Sequence, residues 1–378
     1  MTSFHWAGWA AAQNQSVRES GRWRSPRIFD GGGPEGSLEG RRVVSFASND
    51  YLGLSQHPAV IAAACAAVER WGAGSGAARL IVGSRPVHHD LERALAAWKD
   101  EEAAVVFSTG FAANLGTLTT FAGRGRRVLS DELNHASIID GCQLSRATVD
   151  VYRHRSAEHC AEMLAASAEP AVVVSDLVFS MDGDLAPVAE LAAACRERGA
   201  LLVLDEAHAV LAPAVVPDCE YLRVGTLSKT LGALGGYVAG RREFIDLLVN
   251  RARSYIFTTA LSPADAAAAL AAVGIVAGPE GEGLRQRLRA VVDRVRPGYS
   301  SPIVPVVIGA EDDAMAVADA LLQRGVLVPA IRPPTVPAGT SRLRVALSAA
   351  HTDDQIDALI EGLDTCWPAW RDTASVPR

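Results

Sequence analysis

The chain carries 36 basic residues, yet only two are lysines, Lys99 and Lys229. Arginine has taken nearly every position that needs only positive charge. A retained lysine therefore points to a task the guanidinium cannot perform. A deprotonated amine attacks a carbonyl and forms a Schiff base, whereas arginine stays protonated. Lys229 follows a strand-like run, Leu222-Arg-Val-Gly-Thr-Leu-Ser-Lys229, and opens a glycine-rich loop. Lys99, in Trp98-Lys-Asp-Glu-Glu102, reads as a solvated cation at a charged helix end. A second group of reactive types lies at Asp205-Glu206-Ala207-His208, after the apolar run Leu201-Leu-Val-Leu. Asp205 alone also fits a helix cap; a lysine on a neighbouring strand end favours a shared site.

Two more strand ends are rich in polar groups. Ser108-Thr109-Gly110-Phe111-Ala112-Ala113-Asn114 passes from strand to helix through a glycine, which aims free backbone N–H groups at an anion such as phosphate. Val172-Val-Val-Ser-Asp176 leads into Phe179-Ser180-Met-Asp-Gly-Asp184. Gly72-Ala-Gly74-Ser-Gly76 looks superficially like a dinucleotide loop. It follows a helix-like segment and lacks the required glycine spacing, so a tight loop beside a site is the better reading.

The elements that position these residues follow from periodicity. Strand-like runs at 43–47, 103–107, 171–176, 201–205 and 222–226 alternate with helical spacing at 60–71, 88–98 and 185–198. Runs apolar on both faces, alternating with helices, predict a mainly parallel sheet covered on two sides. Ligands of such sheets sit beyond the carboxyl ends of the strands, where all three polar groups fall. After about 255 the alternation stops: helices at 263–276 and 283–295 are followed by strands at 303–308, 326–331 and 342–347, a helix near 314–323 and a final helix at 353–366, which reads as a smaller α+β unit. The expected division is an arm at 1–45, a large domain at 46–277 and a small C-terminal domain at 278–378. A length of 378 residues suits two domains.

Composition narrows the function classes. A net charge of −7 gives no electrostatic footprint for nucleic acid. Cys65, Cys142, Cys160, Cys195, Cys219 and Cys366 show no metal-ligand spacing and no disulfide framework, which suits a reducing cytoplasm. No metal is expected. No apolar run is long enough to span a bilayer, so no membrane association is expected.

A lysine, an acid and a phosphate-binding helix start on adjacent strand ends fit one cofactor well. Pyridoxal 5'-phosphate needs a lysine for its aldehyde, an acid for its ring nitrogen and a helix N-terminus for its phosphate.

Several motifs occur together in one order: Asn49-Asp-Tyr-Leu-Gly-Leu54, Gly74-Ser-Gly76 with Arg79 and Gly83, and Asn134-His-Ala-Ser137. Phe179–Asp184, Asp205–His208, Leu227-Ser-Lys229 and Phe257-Thr-Thr259 follow. The combination resembles the α-oxoamine synthases, from about residue 40 to the C-terminal helix. The resemblance implies a fold type I pyridoxal phosphate transferase, a large domain with a mainly parallel seven-stranded sheet and a smaller α+β domain. Ile331-Arg-Pro-Pro-Thr335 through Arg344 is most similar to members that join L-alanine to a pimeloyl thioester, on coenzyme A or a carrier protein, in biotin biosynthesis. A sister activity with glycine or serine and another acyl group, and a non-catalytic dimer partner, are the alternatives.

Residue roles follow from the same resemblance. Lys229 would anchor the cofactor and move the α-proton, Asp205 would pair with the ring nitrogen, and His208 would bond the ring hydroxyl. His135 would stack on the ring and contact substrate. Gly110, Phe111, Thr226 and, from a second subunit of a homodimer, Thr259 would hold the phosphate, with Ser180 a further contact. Arg344 would take the amino-acid carboxylate, with Asn49 and Thr335 nearby, and Arg22 the far carboxylate of the acyl chain. One segment departs from the family: after His208, where relatives carry a glycine-rich stretch, this chain has Ala209-Val-Leu-Ala-Pro-Ala-Val-Val-Pro217, and the distance to Lys229 is shorter. A rebuilt loop is expected there.

Overall fold

The computed structural model describes residues 4–372. Seven strands form the main sheet, in the spatial order Ala103–Phe107, Gly236–Gly240, Tyr221–Thr226, Leu201–Asp205, Ala171–Asp176, Arg127–Asp131 and Thr148–Tyr152. Gly236–Gly240 runs antiparallel to both neighbours, and the other adjacent pairs are parallel.

Side chains alternate across the sheet, and both faces are buried. Val172, Val174 and Val203 pack on one face with Ala113, Leu118 and Ile138 of the helices Gly110–Phe121 and Ala136–Ser145. Val173, Leu202 and Leu204 face the other way, against Cys160, Leu164 and Leu191 of Ala157–Ala165 and Val188–Arg198. A period-two pattern with apolar residues at every position requires helices on both sides, as observed.

The C-terminal part carries an antiparallel sheet of Ile303–Gly309, Ser341–Ala346 and Ala330–Ile331. The boundary drawn at 277/278 falls in the break between the helices Pro263–Val276 and Pro279–Val295.

The run at 43–47 was expected to belong with the main sheet, and the structure corrects this. Arg41–Ser45 pairs antiparallel with Glu35–Leu38 and parallel with Val326–Leu327 in a separate four-stranded sheet. Its two arginines stay exposed, which suits a peripheral sheet better than one buried on both faces. The segment before it holds the helix Trp6–Glu19, which buries no residue. Among the described residues no helix is long and apolar enough to cross a membrane.

Candidate active site

A cavity of about 250 Å³ opens at the carboxyl ends of the central strands. Gly110, Phe111, His135, Ser180, Asp205, His208, Thr226 and Lys229 all line it. They arrive from five strand ends, so the sheet register brings together residues far apart in sequence. Asp176 and Asp205 are register partners on adjacent strands.

Lys229 follows the strand Tyr221–Thr226 and makes no ion pair among the described residues. Burial lowers its pKa, Arg344 adds to that, and Asp205 and Asp176 pull the other way. Neutral amine, the form that attacks a carbonyl, is therefore more accessible than for an ordinary lysine. Asp205 is buried, with Asn114 Nδ2 donating to Oδ2 at 2.7 Å and the Ala207 N–H donating to Oδ1 at 2.9 Å.

His208 is buried, and its Nδ1 lies 2.6 Å from Tyr51 Oη. Burial holds its pKa well below the ordinary value, with Lys229, Arg344 and His135 adding to the effect. Tyr51 Oη also donates to Asn49 Oδ1 at 3.0 Å, and Arg344 Nη2 donates to the same oxygen at 3.0 Å. An unbroken polar chain thus runs from Arg344 through Asn49 and Tyr51 to His208. Burial pushes the Tyr51 hydroxyl up to about 12 despite Arg344, so this link stays uncharged. Arg344 is also buried and donates from Nε to the Ser180 carbonyl at 2.5 Å.

His135 caps the helix Ala136–Ser145, its Nδ1 2.7 Å from Ser137 Oγ. Its backbone N–H donates to Asp176 Oδ2 at 2.9 Å. Burial lowers the His135 pKa, Asp205 opposes this and Lys229 reinforces it. Asp176 is buried, and burial and the neighbouring Asp205 push its pKa well up.

The helix Gly110–Phe121 starts at the cavity. The Thr109 hydroxyl accepts the Ala112 N–H at 3.0 Å, and no acceptor among the described residues takes the N–H groups of Gly110 and Phe111. Space is tight here: a Cβ on Gly110 would lie 3.1 Å from Thr226 Cβ. A Cβ on Gly236 would lie 2.4 Å from the Thr109 carbonyl and 2.6 Å from Gly110 N. Thr226 Oγ1 is 2.7 Å from Ser228 Oγ, which also lines the cavity. Anion-binding backbone, a buried carboxylate and an unpaired lysine on one wall fit pyridoxal phosphate.

Five expected residues fall outside this lining: Asn49 and Arg344, tied to it through the bonds that end at His208 and the Ser180 carbonyl, and three more. Thr335 is exposed and lines a neighbouring cavity of about 730 Å³ that shares Ser180 with the first. Thr259 is exposed and outside the cavity of its own chain. Arg22 is on the surface, 2.9 Å from Glu311 Oε1. Sequence reasoning gave no roles to Asn114, Tyr51 and Asp176. All three sit inside quoted motifs, but the Asn114 contact with Asp205 spans 91 residues and leaves no local signal.

The segment after His208 forms turns and irregular backbone, and Arg223 Nη2 donates to its Val215 carbonyl at 2.9 Å. None of its residues is a positive-φ outlier, so the non-glycine sequence is unstrained.

Residues 41–363 match the aminotransferase class I and II family. The 8-amino-7-oxononanoate synthase of Anaeromyxobacter dehalogenans is 48% identical over 95% of this chain and 96% of its own length. The enzyme of the same name from Geobacter sulfurreducens is 45% identical, covering 93% and 96%. Among solved structures, the serine palmitoyltransferase of Sphingomonas wittichii superposes with a TM-score of 0.87 at 31% identity, covering 96% of this chain and 97% of that one. An SPT structure holding PLP has the same TM-score, 0.87, at 30% identity and the same coverage. The 8-amino-7-oxononanoate synthase of Francisella tularensis has a TM-score of 0.71 at 26% identity, covering 85% and 97%. The chain belongs to the aminotransferase class I and II family, in its α-oxoamine synthase branch.

Proposed function

We propose that this chain is a pyridoxal phosphate-dependent acyltransferase that condenses L-alanine with a pimeloyl thioester, with loss of CO2, to give 8-amino-7-oxononanoate in biotin biosynthesis. The observation that carries the reading is the cavity that unites Lys229, Asp205, His208 and the Gly110 helix start. Sequence identities of 44–48% to enzymes of that name support the substrate assignment.

When bound, pyridoxal phosphate supplies an aldehyde carbon and a ring that withdraws electrons from the amino-acid Cα. Asp205 is assigned to the ring nitrogen and His208 to the ring hydroxyl. Gly110 and Phe111 N–H, with Thr226, are assigned to the phosphate, and Thr259 of a second copy to the same group. Lys229 takes the proton from Cα and later returns it; its lowered pKa suits both duties. Arg344 holds the substrate carboxylate, with Asn49 fixing the guanidinium. His135 covers the ring face.

The neighbouring cavity is walled in part by Ile139, Phe179, Met181, Pro333 and Val336, which suits an apolar acyl chain. Thr335 lies along that wall. Arg22 is assigned to the far carboxylate; to serve it must leave Glu311. A homodimer supplies Thr259, and the six free cysteines suit the cytoplasm.

The likeness to serine palmitoyltransferase favours one second reading, a sister synthase that uses serine and a longer acyl thioester. Incubation of the cofactor-loaded protein with L-alanine, glycine or L-serine against thioesters of several chain lengths separates the two. Release of thiol with L-alanine and pimeloyl-CoA supports the first reading. Turnover only with L-serine and a long-chain acyl-CoA replaces it with the second.

A further inference from the structure

Outside the cavity, a buried histidine bridges two carboxylates. His154 Nδ1 lies 2.9 Å from Asp131 Oδ1, and its Nε2 lies 2.8 Å from Asp184 Oδ2. The imidazole is 5% exposed and the Asp131 side chain 1%, so water does not replace these contacts. Ionised carboxylates only accept hydrogen bonds, and only the imidazolium has two N–H groups to give. The geometry therefore fixes His154 as a cation with both nitrogens donating. Phe179 meets the ring edge-on, with centroids 4.3 Å apart.

Each carboxylate organises one wall of the active site. Asp131 ends its strand and accepts from the Leu133 N–H at 3.0 Å, and its carbonyl accepts from the Asn134 N–H at 3.2 Å, immediately before His135. Asp184 closes the turn that begins at Phe179, where Phe179 N–H donates to the Asp184 carbonyl at 3.0 Å. That turn carries Ser180, whose carbonyl receives Arg344 Nε. His154 is thus the shared partner of the His135 loop and the turn that seats Arg344.

We propose that His154 is a positioning residue that, as an imidazolium, clips the His135 loop to the Ser180 turn and thereby sets the seat of Arg344. The inference rests on the reading of Arg344 as the carboxylate-binding residue. The titratable and charged groups facing this clip include Cys160 of the helix Ala157–Ala165 and Asp176 of the adjoining strand, both near Asp131. Asp131 and Glu132 come from the first loop, Glu132 accepting the His154 N–H at 2.9 Å, and Tyr152 and Arg155 come from the strand end beside it. Asp182 and Asp184 come from the turn, and Tyr299 and Arg342, which pairs with Asp182, come from the C-terminal part. Burial opposes the charge on His154, but the hydrogen bonds to Asp131 and Asp184 outweigh it and raise the pKa above its ordinary value. Arg155 Nη1, 3.4 Å from Asp184 Oδ2, is a half-exposed and weaker contact. Rising pH therefore removes one N–H and releases one wall from the other, loosening Arg344.

The test uses cofactor-loaded protein with ¹⁵N-labelled histidine. Doubly protonated ring nitrogens on His154 at neutral pH support the clip; a neutral tautomer already at about pH 6 overturns it. The second readout is the spectral change of the bound cofactor on titration with L-alanine across the pH range. His154→Gln weakens L-alanine binding about tenfold at low pH and flattens its pH dependence, while the parent protein approaches the variant as pH rises. Asp184→Asn reproduces the effect and serves where His154→Gln does not fold. Lowered thermal stability with an unchanged pH profile in both variants overturns the proposal. If the parent protein gives no response to L-alanine at any pH, the proposed function fails, and the histidine spectra still decide the clip.

Discussion

Asn114 Nδ2 donates to Asp205 Oδ2 at 2.7 Å from the very helix whose first N–H groups line the cavity. The same amide donates to Ser137 Oγ at 2.9 Å, so one side chain registers the helix that starts at the cavity, the Asp205 strand and the helix that follows His135. Asn114→Ala leaves the buried Asp205 oxygen without this donor, at a cost of about 1–3 kcal/mol. The expected outcome is a lower denaturation midpoint and roughly tenfold faster loss of cofactor, followed by absorbance during dialysis.

Gly236 offers a selective probe of the proposed phosphate end. A Cβ there collides with the Thr109 carbonyl and with Gly110 N, which displaces the helix start. Gly236→Ala is expected to weaken binding of pyridoxal phosphate strongly and that of pyridoxal, which lacks the phosphate, much less. Competitive binding of the two compounds to the apoprotein measures the difference. Equal losses for both would show that the damage is general.

Lys99 Nζ lies 2.7 Å from Glu206 Oε2. The sequence suggested a solvated cation, and the structure places it in a buried cluster instead: Glu206 Oε1 meets Arg223 Nη1 at 2.5 Å, and Arg223 Nε meets Glu101 Oε1 at 2.8 Å. Burial opposes the Lys99 charge, yet Tyr237 and Glu206 hold its pKa above the ordinary value. The two cations and two anions tie the helix Pro86–Lys99 to the strand ends that lead to Asp205 and Lys229. Lys99→Met leaves Glu206 Oε2 without its cation while Arg223 still holds Oε1, and is expected to cost about 1–3 kcal/mol. Lys99→Met with Glu206→Gln should recover much of it in urea denaturation.

The depressed pKa of His208 has a definite sign in stability. The folded state keeps His208 neutral, while the unfolded chain binds a proton below about pH 6.5. Between that value and the folded pKa the unfolded state holds more protons, so stability rises with pH and is lost as pH falls. His208→Gln is expected to make this acid-side loss shallower, read from urea midpoints of the apoprotein at successive pH values.

Much of this was legible in the chain. Leu201–Asp205 and Ala171–Asp176 are apolar on both faces, and their polar terminal residues converge on the cavity. Arg127–Asp131 and Thr148–Tyr152 were not anticipated, because the first has charged ends and the second is an edge strand with four of five positions unburied. Gly236–Gly240 was not anticipated as a strand, since its glycines obey packing against Thr109 and Leu222 rather than strand propensity. Lys99 was misjudged for a similar reason: its acidic neighbours suggest solvent, and its true partner, Glu206, lies 107 residues away.

The central claim is that Lys229 anchors the cofactor and handles its proton. The most direct test is borohydride reduction of the loaded protein, followed by digestion and mass spectrometry. The account predicts a single cofactor-bearing peptide, the one containing Lys229, and none from Lys229→Ala. A colourless protein with no modified peptide, or a cofactor fixed at Lys99, would contradict it.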